Sequence, residues 1–151
     1  MDTTEIAARL AIQERLNLYT DAILRFDADA FGECWAPDAQ WRIMGQHFKG
    51  REQIVGFYQA LTESAHYVRH LSHSPVLRID GDSAAGRFQV TETVCSKQGD
   101  GMLILGVYDD RFAKSDGVWR FTERVLDITY QGPFPLELDN FHPLDATNHR
   151  F

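Results

Sequence analysis

The sequence predicts an α+β fold, with helices gathered in the first half and a sheet in the second. Apolar residues recur at helical spacing from Ile12 to Phe26 and from Ile54 to Leu61, whereas from Tyr67 onward the period is two. Short glycine-containing turns, Asp80-Gly-Asp-Ser83, Gln98-Gly-Asp-Gly101 and Lys114-Ser-Asp-Gly117, separate the later runs. Connections this short join antiparallel neighbours. Helices followed by such a meander read as a sheet covered on one face.

Thr3 or Thr4 is expected to cap the first helix near Glu5, and Ile12, Leu16, Tyr19, Ile23 and Phe26 form its buried stripe. Leu10, Leu18 and Leu24 lie off that stripe, so a second side of the helix faces a cavity or another subunit. Asp27-Ala-Asp-Ala opens a short helix from Ala30 to Trp35, which Pro37-Asp38 ends. Gln40 to Met44 reads as a strand closed by Gly45. A further amphipathic helix fits Arg51 to Leu61, with Ile54, Phe57, Tyr58 and Leu61 on its apolar face.

From Tyr67, residues His70, Ser72, Ser74 and Val76 share one parity and Leu71, Leu77 and Ile79 the other. Pro75 interrupts the ladder, which places this run at an edge or on a bulge. In the next strand Phe88, Val90, Glu92 and Val94 alternate with Gln89, Thr91, Thr93 and Cys95. The runs Met102 to Ala113 and Val118 to Tyr130 complete the meander. The proline-rich but apolar segment 131–151 is expected to wrap the sheet or a neighbouring subunit.

With 44% hydrophobic and 25% charged residues in 151, the chain has the composition of one folded domain spanning 1–151. A net charge of −7 argues against nucleic acid, which is held by lysines and arginines that neutralise phosphates. The same charge argues against an anionic membrane surface. No apolar run is long enough to span a bilayer, and Met1-Asp-Thr-Thr-Glu-Ile lacks a basic, then apolar, secretory leader. Cys34 and Cys95 have no metal-like spacing and read as free thiols in a reducing compartment. A cytoplasmic location is expected.

The element order, together with Phe31 to Trp41, the Gly45–Gly50 segment, His70, Gly81-Asp82 with Ala84, and Asp116-Gly-Val-Trp119, resembles the SnoaL-like group of the nuclear transport factor 2-like superfamily. That likeness covers about residues 5–130. It implies a cone-shaped barrel of strongly curved mixed sheet with the N-terminal helices packed over it. Leu18-Tyr-Thr-Asp21, Asp38-Ala-Gln-Trp41, His70 and Trp119-Arg-Phe-Thr-Glu-Arg124 resemble the hexachlorocyclohexane dehydrochlorinases and scytalone dehydratase-type lyases most. Carried over, His70 is the base, Asp21 its orienting partner and Arg124 an electrostatic helper. Trp41, Ile104 and Tyr108 fall on pocket-lining positions.

That chemistry is coherent. A neutral imidazole accepts a proton near neutral pH, and a carboxylate on its other nitrogen fixes the tautomer and stabilises the cation formed. Arg124, with Gln89 or Tyr108, would stabilise an enolate or a departing group. Leu18 and Tyr19 are placed beside the substrate; Tyr19, on the main stripe, is read first as a packing residue, with donation to a substrate oxygen as the alternative. Gln89, Thr91 and Thr93 are expected on the cavity wall, which favours loss of water from a hydroxylated ring over loss of halide.

Bland readings stand beside these. Asp21 lies about opposite the Ile12–Ile23 stripe and could pair with Arg25 on the surface. Arg124 could pair with a sheet carboxylate such as Glu92. His66, His70 and His73 would share a metal-binding face only if their segment were helical, and the strand reading is preferred. The expectation is a cofactor-independent and metal-free lyase acting on a small hydrophobic ring-containing metabolite, as a homodimer or homotrimer. An isomerase working by proton shuttling, and a non-catalytic subunit like those of ring-hydroxylating dioxygenases, are the alternatives.

Overall fold

The computed structural model describes residues 1–144. The elements run α1 (Thr3–Arg25), α2 (Ala28–Glu33), β1 (Trp35–Ile43), β2 (Gln46–Lys49), α3 (Arg51–Ser64), β3 (Ala65–Asp80), β4 (Ser83–Ser96), β5 (Gly101–Ser115) and β6 (Val118–Pro133). One six-stranded sheet has the order β2-β1-β6-β5-β4-β3. All neighbours are antiparallel except β1 and β6, which run parallel. The sheet is mixed and strongly curved, and the helices close its concave face. The α+β cone is therefore as expected.

The cap of α1 lies one residue before the predicted ones, because Asp2 rather than a threonine accepts from the backbone N–H of Glu5, at 2.8 Å. It ends where Phe26 turns left-handed, at φ 54°. Its buried face is the predicted stripe from Ile12 to Ile23, with Ala8 and Ala22 added, while Phe26 caps the helix and is only partly buried. Leu10, Leu18 and Leu24 are exposed. α2 starts two residues early because Asp27, not a later residue, caps it through the N–H of Ala30 at 2.9 Å. Trp35 and Pro37 therefore belong to β1, and the register against β6 shifts there. A two-residue turn of Met44 (φ 50°) and Gly45 (φ 72°) folds β1 onto β2, a strand the sequence did not announce.

Bulges bend the long strands. One lies between His73 and Val76, where Ser74 has φ 54° ahead of Pro75. Others interrupt β5–β6 at Leu105/Gly106 and Arg111/Phe112. β3 is also an edge strand, so both placements considered for Pro75 are realised. The core is aromatic: Tyr19, Phe31, Trp35, Trp41, Phe88, Phe112 and Phe121 are all buried. Beyond β6, the N–H of Phe134 donates to Gly101 at 3.0 Å, and the Phe141 ring lies 4.9 Å from that of Tyr67. Leu136 and Phe141 share a groove with Thr91 and Thr93 on the outer face of β3 and β4. The rest of the expected wrap, 145–151, lies outside the described residues. Among the described residues no helix is long and apolar enough to cross a membrane.

Candidate active site

The cone encloses a cavity of about 260 Å³. Its wall is mostly apolar, with Ile23, Val68, Val90, Val94, Ile104 and Leu126 among its residues, and His70, Glu92, Tyr19 and Tyr108 bring the polar atoms. Gln131, Ser96 and Met102 also line it.

His70 of β3 and Glu92 of β4 are register partners and point to the same side. His70 Nδ1 lies 2.7 Å from Glu92 Oε2, and Nε2 lies 3.0 Å from Ser72 Oγ. The ring packs edge-on against Tyr19, with centroids 5.4 Å apart, and stands 6.1 Å from the Tyr108 ring. Tyr108 Oη accepts from Trp41 Nε1 at 3.1 Å. Burial holds the Tyr19 and Tyr108 phenols protonated well above the usual range.

Arg124 is fully buried and stands behind that wall. Its Nε and Nη2 donate to the two Asp110 oxygens at 2.8 and 3.0 Å. Its guanidinium carbon sits 3.7 Å from the Tyr108 ring centroid and 4.5 Å from that of Tyr19. Burial opposes the Arg124 charge, but Asp110, Tyr19 and Tyr108 outweigh it and the side chain stays cationic. Burial likewise pushes the Asp110 carboxyl up to about 6 against the pull of Arg124, so the pair is ionic at neutral pH. Arg124 Nη1 has no partner among the described residues.

A SnoaL-like domain model matches residues 4–125, most of the chain. The chain belongs to the SnoaL-like family. Within that family it is similar to the gamma-hexachlorocyclohexane dehydrochlorinase of Sphingobium indicum, at 28% identity over 142 residues, covering 87% of each chain. The crystal structure of LinA superposes with a TM-score of 0.81 at 26% identity, covering 93% of this chain and 97% of that one. A putative scytalone dehydratase from Novosphingobium aromaticivorans shares the fold, with a TM-score of 0.83 at 16% identity over 91% and 94% of the two chains.

Against this SnoaL-like frame, several expected site residues lie elsewhere. Asp21 is 54% exposed and bonds Arg25 at 2.9 Å, because its position on α1 faces away from the buried stripe. It does not meet His70. Leu18, 44% exposed, is also on the solvent side of α1. Gln89, Thr91 and Thr93 point out of the cone, since the inner parity of β4 is that of Phe88, Val90, Glu92 and Val94; Gln89 and Thr91 line an outer groove. Arg124 pairs with Asp110 rather than with Glu92, and it is not among the residues that line the cavity. Tyr19, Trp41, Ile104 and Tyr108 do line the cavity, and His70 is on its wall. Because 65–80 is a strand, His73 turns outward and contacts Thr91 Oγ1 at 3.3 Å. It does not share a face with His70.

Sequence reasoning missed the pairing role of Glu92, and a signal was present. Glu92 is the one charged residue on the apolar parity of its strand. The Gly81-Asp82 turn pairs Asp80 with Ser83 and hence Val76 with Arg87; the extra residue at the Ser74-Pro75 bulge then sets His70 opposite Glu92.

Alkaline titration follows from the buried phenols. Burial raises Tyr58 to about 12, and its hydroxyl donates to the Ala22 carbonyl at 3.3 Å. The unfolded phenol ionises near 10, so the folded chain retains protons that the unfolded chain releases. Stability is then present below pH 10 and lost as pH rises toward about 12. Urea unfolding over that range should show the decline, and Tyr58→Phe should make it shallower. A pH-independent midpoint would contradict the assignment.

Proposed function

We propose that the protein is a cofactor-independent lyase that eliminates H–X from a small apolar ring-containing molecule, X being hydroxyl or halogen. The observation carrying this is the 2.7 Å His70–Glu92 contact on the wall of a mostly apolar cavity inside the cone. Such a site keeps water from the reacting groups and strengthens a proton transfer within it. The similarity to a dehydrochlorinase at 28% identity supports the reaction class. The polar strand positions that favoured dehydration face outward, so the cavity wall gives no such preference of water over halide.

The test is incubation with γ-hexachlorocyclohexane and with cyclic β-hydroxy ketones in D₂O, following chloride release, water loss and deuterium incorporation. A product alkene is expected, with turnover reduced at least 10²-fold in the His70→Ala/Glu92→Ala double variant, the usual scale for a lost base. Asp21→Ala should stay within about twofold, since an exposed ion pair contributes little. Deuterium incorporation without loss of X would favour an isomerase. Equal rates for wild type and the double variant would remove the proposal.

A further inference from the structure

A base must present a free lone pair to its ligand, and the hydrogen bonds of the His70–Glu92 pair decide which member does so. An ionised carboxylate only accepts, so with Glu92 ionised the 2.7 Å contact to its Oε2 requires the proton on His70 Nδ1. The second nitrogen, Nε2, is engaged by Ser72 Oγ at 3.0 Å, and Ser72 is not part of the cavity wall. If Nε2 accepts from the serine hydroxyl, the only lone pair of the neutral ring is occupied away from the cavity. If Nε2 also carries a proton, the imidazolium has none. In neither state does a basic nitrogen face a ligand.

Glu92 is differently placed. Its Oε2 takes the His70 bond, while Oε1 has no hydrogen-bond partner among the described residues. Its side chain is 25% exposed against 2% for His70, and it opens on the cavity between Val90 and Val94. From these contacts we infer that Glu92 is the catalytic base and that His70 is a positioning residue, holding the carboxylate through Nδ1–H with Ser72 fixing the ring from behind. This deepens the elimination reading and rests on it.

The step balances without any further reactant. Glu92 Oε1 takes the proton from carbon, the C–H electron pair becomes the new π bond, and the C–X pair leaves with X. A halide departs as the anion, and the proton on Glu92 passes to water. A hydroxyl departs as water when the newly formed carboxylic acid returns that proton to the leaving oxygen, which restores the carboxylate. Tyr108 suits the leaving side. Its Oη already accepts from Trp41, and its own proton has no acceptor among the described residues. Glu92 and Tyr108 both line the cavity, so a ligand seated there meets the carboxylate and the phenol together.

The experiment compares Glu92→Gln, Glu92→Asp and His70→Asn on a substrate turned over by the wild type, with pH–rate profiles for each. Asparagine at 70 still offers an N–H to the carboxylate. Glu92→Gln should lose at least 10²-fold in kcat, Glu92→Asp should restore part of it, and His70→Asn should stay within about tenfold. Wild-type kcat in Glu92→Gln with a dead His70→Asn overturns the assignment and leaves elimination standing. No elimination or exchange by the wild type removes the reaction and its base together. A measurement independent of any variant's folding is ¹⁵N NMR of the wild-type histidine rings. A protonated His70 Nδ1 is expected, and a neutral ring protonated only at Nε2 would overturn the proposal.

Discussion

Asp110→Ala is expected to destabilise the fold by about 3–5 kcal/mol, the usual cost of stranding one member of a buried ion pair. Arg124 and Asp110 are both wholly buried, and the carboxylate takes two of the guanidinium donors. Without it, a cation remains among Tyr19, Tyr108 and Phe121 with one nitrogen already unpartnered among the described residues. At about 2–4 °C per kcal/mol for a chain of this size, the melting midpoint should fall by roughly 6–20 °C. Replacing both partners, as Asp110→Leu/Arg124→Met, should recover most of the loss, because apolar side chains of similar volume carry no desolvation penalty. Urea unfolding of the three proteins checks this. If D110A unfolds at the wild-type midpoint, Arg124 has found another partner. If the double variant is no better than the single, packing rather than charge set the cost.

Trp35→Ala should cost a similar amount, about 3–5 kcal/mol, as expected for emptying a buried aromatic site. Trp35 is fully buried and meets Tyr19, Phe31, Trp41 and Phe121 at centroid distances of 5.3 to 6.1 Å. It also stands where β1 leaves α2, and its carbonyl accepts from Arg51 Nε at 2.9 Å. Its indole N–H is buried without a partner among the described residues. Trp35→Phe should therefore cost far less, since it keeps an aromatic ring there and deletes an unsatisfied donor. Thermal unfolding of both variants separates the effects. Equal losses for alanine and phenylalanine would mean that the indole shape itself is required.

Much of this fold was legible because periodicity reports local geometry. The stripe Ile12–Leu16–Tyr19–Ile23 marked the buried face of α1, and the turn at Gly81-Asp82 marked the β3–β4 hairpin. Boundaries were less legible where capping decided them: Asp27 started α2 early, which handed Trp35 to β1. The site was legible in its cavity-wall aromatics and in the position of His70, but not in its partner. Asp21 rested on the resemblance alone, yet the helical repeat already turned it toward solvent. Glu92 required a register, and that register depended on a bulge whose consequence is a one-residue phase shift along the strand. The choice of Gln89 and Thr91 failed for a related reason, because parity alone does not say which side of a sheet is concave.

The Asp110–Arg124 pair has a consequence for what the cavity admits. Its guanidinium is neutralised by a carboxylate and screened by two phenol rings, so it offers no counter-ion to a guest. The charge that does reach the interior is the acid on β4. A carboxylate or phosphate ester would have to shed its hydration with no cation to replace it, which is costly in a mostly apolar enclosure. An uncharged molecule meets only dispersion and a few hydrogen bonds. The chamber thus sorts guests by polarity as well as by size, partitioning neutral compounds from water much as an oil phase does.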